Sequence, residues 1–242
     1  MAIISIGSDS IDKLLGGGIR TGFVSEILGN SKYARNVMSV SACINAVRMS
    51  SASTVIFMDT QGNFRPEMAL DNLMNSEDRR RILNKILTVR IYSLNLFTSV
   101  INKSISRSPR MIVIDNFVSL FTSEFQGIKR HLSLMHRLRE LATTALDHDL
   151  AILITNPSSF RSPGSDSYYV HGINNSESKS PALSFHPDIL GMSLSTYTSF
   201  VLKVDRLEMK DGIYSVKLIK PTNNSIHYFR IVKGSIYELV KS

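Results

Sequence analysis

Cysteine is almost missing from this chain. Cys43 is the single one among 242 residues, which excludes an internal disulfide framework and a Cys₄ zinc site and fits a reducing, intracellular compartment. No apolar run reaches the roughly 20 residues of a membrane-spanning helix. The opening MAIISIGSDS lacks the basic start and long apolar core of a signal peptide. Acidic side chains are the scarcer charge: 20 Asp and Glu stand against 28 Lys and Arg, for a formal net charge of +8. That excess favours a polyanionic partner, nucleic acid first, although solubility alone also accommodates it. His131 and His136 miss the i,i+4 spacing of a helical metal pair, so no metal site is expected. No glycosidase-like pairing of acids stands out, and no internal repeat or dividing linker is visible. With few ion-pairing glutamates and much Ser and Asn, the chain looks unlike a hyperthermophile protein.

What is present suits one large soluble domain with a sizeable core: 43% of residues are hydrophobic and 20% charged. Strand-like apolar runs occupy Phe23–Leu28, Thr54–Met58, Thr88–Tyr92, Met111–Ile114 and Leu150–Thr155. Helical stretches lie between them, near Asn36–Met49, Pro66–Lys85, Leu94–Ile105 and Ile128–Leu146. This alternation predicts an α/β fold, a mostly parallel sheet with helices on both faces. Cys43 falls on the apolar face of the first long helix and reads as a small buried core residue. The last third changes character. Phe200–Val204, Ile213–Ile219, Ile226–Val232 and Ser235–Val240 are separated by turn-forming Lys-Asp-Gly, Pro-Thr-Asn-Asn and Lys-Gly, which predicts an antiparallel extension of the sheet. Pro157–Pro187, rich in Ser, Gly, Pro and Asn, reads as a long flexible loop.

One motif carries the chemistry. Residues Gly29, Asn30, Ser31, Lys32, Tyr33, Ala34, Arg35 and Asn36 lie between a strand-like run and a helical one. There a phosphate-binding P-loop would read G-x-x-x-x-G-K-[ST]: glycines let backbone N–H groups wrap phosphate, Lys neutralises it, and a hydroxyl holds Mg²⁺. Gly29 fits the first position. Ala34 stands for the second glycine, Arg35 for the lysine and Asn36 for the hydroxyl. Ala34 adds a Cβ where glycine freedom is useful. Arg35 offers a bulky planar fork in place of a compact ammonium. The expectation is a nucleotide-binding fold put to a use other than hydrolysis.

Longer segments resemble a family. SIGSDSIDKLLGGGIRTGFVSEILG, Ser5 to Gly29, resembles the start of the catalytic core of RadA-type recombinases, the archaeal and eukaryotic relatives of RecA. Clock-type and DnaB-like ATPases share a looser version of it. FMDTQGNFRPE, Phe57 to Glu67, resembles the recombinase Asp-Thr-Glu-Gly-x-Phe-Arg-Pro-Glu segment almost residue for residue. MIVIDNFVSLFTSEF, Met111 to Phe125, resembles the Walker B strand and following helix, and RHLSLMHRLRELA the helix after the first DNA loop. AILITNPSSF, Ala151 to Phe160, resembles the strand leading into the second DNA loop, and YTSFVLKV through HYFRIVKGSIYE follows the order of the C-terminal strands.

The resemblance implies a RecA-like ATPase core spanning 1–242, and the departures from it imply lost chemistry. Gln61 replaces the family's water-activating Glu; it can hydrogen-bond a water but cannot take its proton. Pro157 replaces the Gln that senses the γ-phosphate. Asp115, the Walker B carboxylate, is kept, either for metal or to cap the turn after its strand. ATP with Mg²⁺ is therefore expected to bind weakly or not at all, with no resident cofactor. The chain begins at the core, without room for the family's N-terminal DNA-binding domain or its Phe-x-x-Ala polymerisation linker, and the first DNA loop is short. These features resemble recombinase paralogues: accessory, non-hydrolysing subunits of homologous recombination and DNA repair. The implied partners are single-stranded DNA and a recombinase or other paralogues, in the nucleus, or in the cytoplasm of an archaeon. The alternatives are an active DNA-stimulated ATPase of the same family and a purely structural adaptor without DNA contact.

Expected DNA contacts are Lys129, Arg130, Arg137 and Arg139 after the first loop, and Arg161 and Lys179 in the second. Tyr168, Tyr169 and His171 would stack on bases there. A solvated helix face explains the helix arginines, and the run Arg79-Arg80-Arg81, as well. Tyr33 and Arg35 are expected near a subunit contact, since in the family the ATP pocket lies at the subunit interface.

Overall fold

The computed structural model describes residues 1–50, 52–62, 64–65, 75–122, 124–158, 194, 196–207 and 212–239. Its centre is a nine-stranded sheet of order β11-β10-β9-β8-β3-β7-β6-β4-β5. The parallel part joins β3 (Val24–Gly29), β4 (Val55–Asp59), β5 (Ile86–Arg90), β6 (Met111–Asp115), β7 (Ala151–Asn156) and β8 (Phe200–Arg206). From β8 the sheet continues antiparallel through β9 (Ile213–Lys220), β10 (Ile226–Val232) and β11 (Ser235–Glu238). This is the predicted α/β architecture.

The parallel strands alternate their side chains between two cores. From β4, Val55 and Phe57 enter one cluster while Ile56 and Met58 enter the other. The first cluster is covered by α1 (Asp9–Leu14), α2 (Lys32–Arg48) and α3 (Ser76–Leu83). The second is covered by α4 (Leu94–Ile105), the short α5 (Ser119–Thr122) and α6 (Gly127–Asp147). Both faces being dry explains why these strands read as continuous apolar runs. Helix α6 shows its buried stripe plainly: Leu134, Leu138, Leu141 and Ala145 recur at helical spacing. Each fully buried Leu contributes roughly 1.5–3 kcal/mol. Cys43 is completely buried on α2, and burial pushes its thiol up from the ordinary value.

Helix starts are set by short polar side chains. Ser8, Ser31, Asn75 and Ser93 each accept a backbone N–H from the first turn of α1, α2, α3 and α4. Gln126, before α6, makes no such bond. The expected Leu94–Ile105 helix and Ile226–Val232 strand match in full. The Lys-Gly signal closes a two-residue hairpin: Lys233 and Gly234 both take left-handed φ, 48° and 76°, between the paired Val232 and Ser235. That is the primed turn that suits strand twist.

Some expectations shift. Strand β5 starts at Ile86 and ends at Arg90, which leaves Tyr92 outside it and 78% exposed. A two-stranded antiparallel ribbon, β1 (Ile3–Ile4) with β2 (Ile19–Arg20), has no counterpart in the expected elements, because two-residue strands carry no periodic signal. Helix α2 starts at Lys32, well before the expected Asn36, with direct consequences for the site. Within the expected Pro66–Lys85 helix only α3 and its flanks lie among the described residues. Most of the Pro157–Pro187 stretch lies outside them.

Candidate functional site

The C-terminal ends of β3, β4, β6 and β7 converge at one edge of the sheet, the place where open α/β sheets bind ligands. Gly29 closes β3, Asp59 closes β4, Asp115 closes β6 and Asn156 closes β7. Gly29 has a packing reason to be glycine. A Cβ there would sit 2.0 Å from the carbonyl oxygen of Val204 on β8. Its presence needs no phosphate and no docking partner.

The loop after Gly29 is not an open cradle. Only Asn30 and Ser31 separate β3 from α2. Ser31 caps the helix, its Oγ accepting the Ala34 N–H at 3.2 Å while its carbonyl accepts the Arg35 N–H at 3.1 Å. Amides that would wrap a phosphate are thus used in the first helical turn. The cause is local. Ser31 is a strong N-cap, Ala34 is a strong helix former, and no second glycine breaks the turn.

Arg35 completes the closure. Its side chain is only 4% exposed and turns back so that Nη1 donates to the carbonyl of Gly29. Burial pulls the guanidinium below its ordinary value, an effect the charge of Asp115 opposes. Its Nε is buried with no hydrogen-bond partner among the described residues. Tyr33 is 41% exposed, and Lys32 and Asn30 are also exposed. Of the two residues expected at a contact surface, Arg35 is turned inward and only Tyr33 faces outward.

Asp115 is held by protein. Thr155 Oγ1 donates to its Oδ1 at 2.6 Å and accepts the Asn116 N–H at 3.0 Å. The Asp115 carbonyl accepts from Thr60 Oγ1 at 2.8 Å. Burial raises the Asp115 carboxyl above the ordinary range, against the lowering effects of the Thr155 hydroxyl and the Arg35 charge. Asp59 pairs with Asp115 in the β4–β6 register and adds a smaller like-charge push. Asp59 itself organises the next turn. Its Oδ1 accepts the N–H groups of Gln61 and Gly62 at 2.9 and 2.6 Å, and its Oδ2 accepts that of Phe64 at 3.2 Å. Gln61 is exposed at the tip of that turn. At the next strand end, Asn156 Nδ2 donates to the buried Glu26 at 2.9 Å, while its Oδ1 accepts the Val118 N–H at 3.0 Å.

In the loop after β3 the Ala34 and Arg35 amides serve the first turn of α2, and the Arg35 guanidinium turns back onto the Gly29 carbonyl. Among the described residues no group of three or more His, Cys, Asp or Glu side chains is placed to hold a metal ion. Thr155, Asn156 and Glu26 are the partners that sequence reasoning passed over. The available signal was the polar pair ending an otherwise apolar strand.

The expected DNA contacts divide. Helix α6 starts at the same edge as the loop, so Lys129, exposed, and Arg130, half-buried, flank the site. Arg137 lies roughly 12 Å further along the helix axis. It is paired with Glu140 at 2.6 Å, and the same carboxylate takes His136 at 3.0 Å. Arg139 is exposed and helps line a cleft of about 400 Å³ between α4 and α6. Arg137 thus carries an ion pair within α6, while Arg139 faces the cleft. Arg161, Tyr168, Tyr169, His171 and Lys179 lie outside the described residues.

A largely parallel sheet with an antiparallel extension, helices on both faces and carboxylate-ended strands at one edge define a RecA-type α/β core. Comparison with known families narrows this: the Rad51 family matches residues 1–176, and the chain belongs to that family. It is 29% identical over 166 residues to the meiotic recombination protein DMC1 homolog A of Oryza sativa subsp. japonica, covering 63% of this chain and 48% of that protein. It is 29% identical over 169 residues to the DNA repair and recombination protein RadA of Cenarchaeum symbiosum, covering 64% and 42%. It is 27% identical over 168 residues to the human meiotic recombination protein DMC1/LIM15 homolog, covering 63% and 49%. The chain thus spans about half the length of the curated relatives it matches.

Proposed function

We propose that this chain is a non-hydrolysing member of the Rad51 family, an accessory subunit in homologous recombination and DNA repair. The observation that carries the reading is Arg35 folded onto the Gly29 carbonyl, in a loop where the Ala34 and Arg35 amides already serve a helix. Gln61 and Pro157 remove a general base and a phosphate sensor from the same pocket, and Asp115 is engaged by Thr155. The chain acts in a hetero-oligomer with a recombinase or other paralogues, with Tyr33 in the contact. It meets single-stranded DNA through Lys129 and Arg130 at the start of α6, and it works in the nucleus. None of the helices in the described residues is long and apolar enough to cross a membrane.

Family membership on its own favours a second reading, an active DNA-stimulated ATPase, because the matched relatives are named as recombination proteins. The two part on one measurement: phosphate release from ATP by the purified chain, with and without single-stranded DNA. The first reading expects background in both. DNA-stimulated release that disappears in Asp115→Ala would establish the second.

A further inference from the structure

We infer that the opposite edge of the sheet carries a phosphate-binding cleft, separate from the modified loop. The cleft lies where β4, β6 and β7 begin, roughly 17 Å from their C-terminal ends at 3.3 Å per residue. It measures about 430 Å³, and its lining includes Arg107, Arg110 and His148 together with Ser50, Ser53 and Ser108. No hydrogen bond or ion pair engages the side chains of Arg107, Arg110 or His148 among the described residues. Asp149, the acid in the lining, is occupied: it accepts from Thr21 Oγ1 at 2.7 Å and pairs with the α-amino group of Met1 at 3.5 Å, and Arg110 is close enough to lower its carboxyl further.

Charge marks the cleft: two arginines and a histidine border one concave space. Ser108 and Asp149 take left-handed φ, 47° and 44°, as they close α4 and α6, an ordinary helix ending that turns the chain into the cleft wall. Cations around a small concave space match a tetrahedral oxyanion, with the arginine forks suited to paired phosphate oxygens. The ligand class is a phosphate, either free or within a nucleic-acid backbone.

The test uses the full chain with pyrophosphate as probe, followed by calorimetry and ³¹P line broadening, and a fluorescent oligo-dT for the backbone arm. Three variants are compared: R107Q/R110Q, S53A and R35M. Arg107 is exposed and Arg110 half-buried, so the double variant is expected to fold, and S53A removes only an unpaired hydroxyl. Pyrophosphate affinity should fall about tenfold or more in R107Q/R110Q and stay unchanged in S53A and R35M. A matching loss for oligo-dT assigns the cleft to a nucleic-acid phosphate, and a loss for pyrophosphate alone assigns it to a free one. Equal affinity of parent and R107Q/R110Q for both probes would overturn the inference, as would no pyrophosphate binding by the parent up to about 10 mM. Loss in R35M alone would return the phosphate to the loop after β3. ATP turnover bears on the proposed function and leaves this cleft untouched, so the two can fail separately.

Discussion

Replacing Arg35 by Met keeps most of the side-chain volume and removes the guanidinium. The Gly29 carbonyl, at a buried strand end, loses its donor, and an unsatisfied buried acceptor costs about 1–3 kcal/mol. Asp115 loses the nearby positive charge that favours its ionised form, which adds to the cost. The unpaired buried Nε disappears with the guanidinium, which gives part of it back. The net expectation is a loss of about 1–3 kcal/mol. For a domain of this size, that lowers the melting temperature by roughly 3–9 °C. Circular dichroism melts and urea titrations measure it, with the midpoint moving and the urea slope unchanged. R35M should not gain ATP binding, because the Ser31 cap still commits the Ala34 amide. A melting temperature within about 1 °C of the parent would show that the arginine holds nothing. Tight magnesium-ATP binding by R35M would show that the loop amides are free and that the arginine alone had closed the pocket.

Gly29→Ala forces a Cβ against the Val204 carbonyl and should cost about 3 kcal/mol by prying β3 from β8, read as a lower urea midpoint. Thr155→Val is nearly isosteric but strands the buried Asn116 N–H and strips a donor from Asp115, so a loss of roughly 2–4 kcal/mol is expected by the same titration. Asp115→Asn changes the pH dependence. The carboxyl sits above its unfolded value, so its ionisation costs nothing below the ordinary carboxylate range, where both states are protonated. The cost grows as pH rises and is complete above the raised folded value. Stability of the Asn variant should therefore rise relative to the parent from acid toward neutral pH, and an unchanged difference between acid and neutral melts would refute the shift. Lys129→Glu with Arg130→Glu should weaken oligo-dT binding and make the salt slope shallower by about 0.7 for each phosphate no longer neutralised, measured by anisotropy across a salt series.

The sheet was legible because its central strands are dry on both faces and rich in β-branched residues, so Met111–Asp115 and Ala151–Asn156 differ from expectation only at their ends. The start of α2 departs from expectation for a local reason. Matching residues 29–36 to a phosphate-loop template places an open loop where Ser31 and Ala34 together specify a helix start. Capping chemistry, visible in the same eight letters, outweighs the template. The contacts that hold Asp115 and Glu26 were beyond reach, since Asn156 and Glu26 are 130 positions apart and only the strand order β3-β7-β6 brings them together. Arg137 shows the limit of charge counting. Its sign alone suggests a nucleic-acid contact, yet its i,i+3 spacing to Glu140 already offers the ion pair that the structure contains.

The last strand reaches back to the first helix. Glu238 Oε1 accepts the Ser10 N–H at 2.6 Å and the Ser8 hydroxyl at 2.8 Å, which draws its carboxyl below the ordinary range. During synthesis, therefore, the start of α1 waits for a partner that lies 230 positions downstream. Until β11 is made, only the local Ser8 cap holds that helix start, and the Ser10 N–H has no carboxylate to meet.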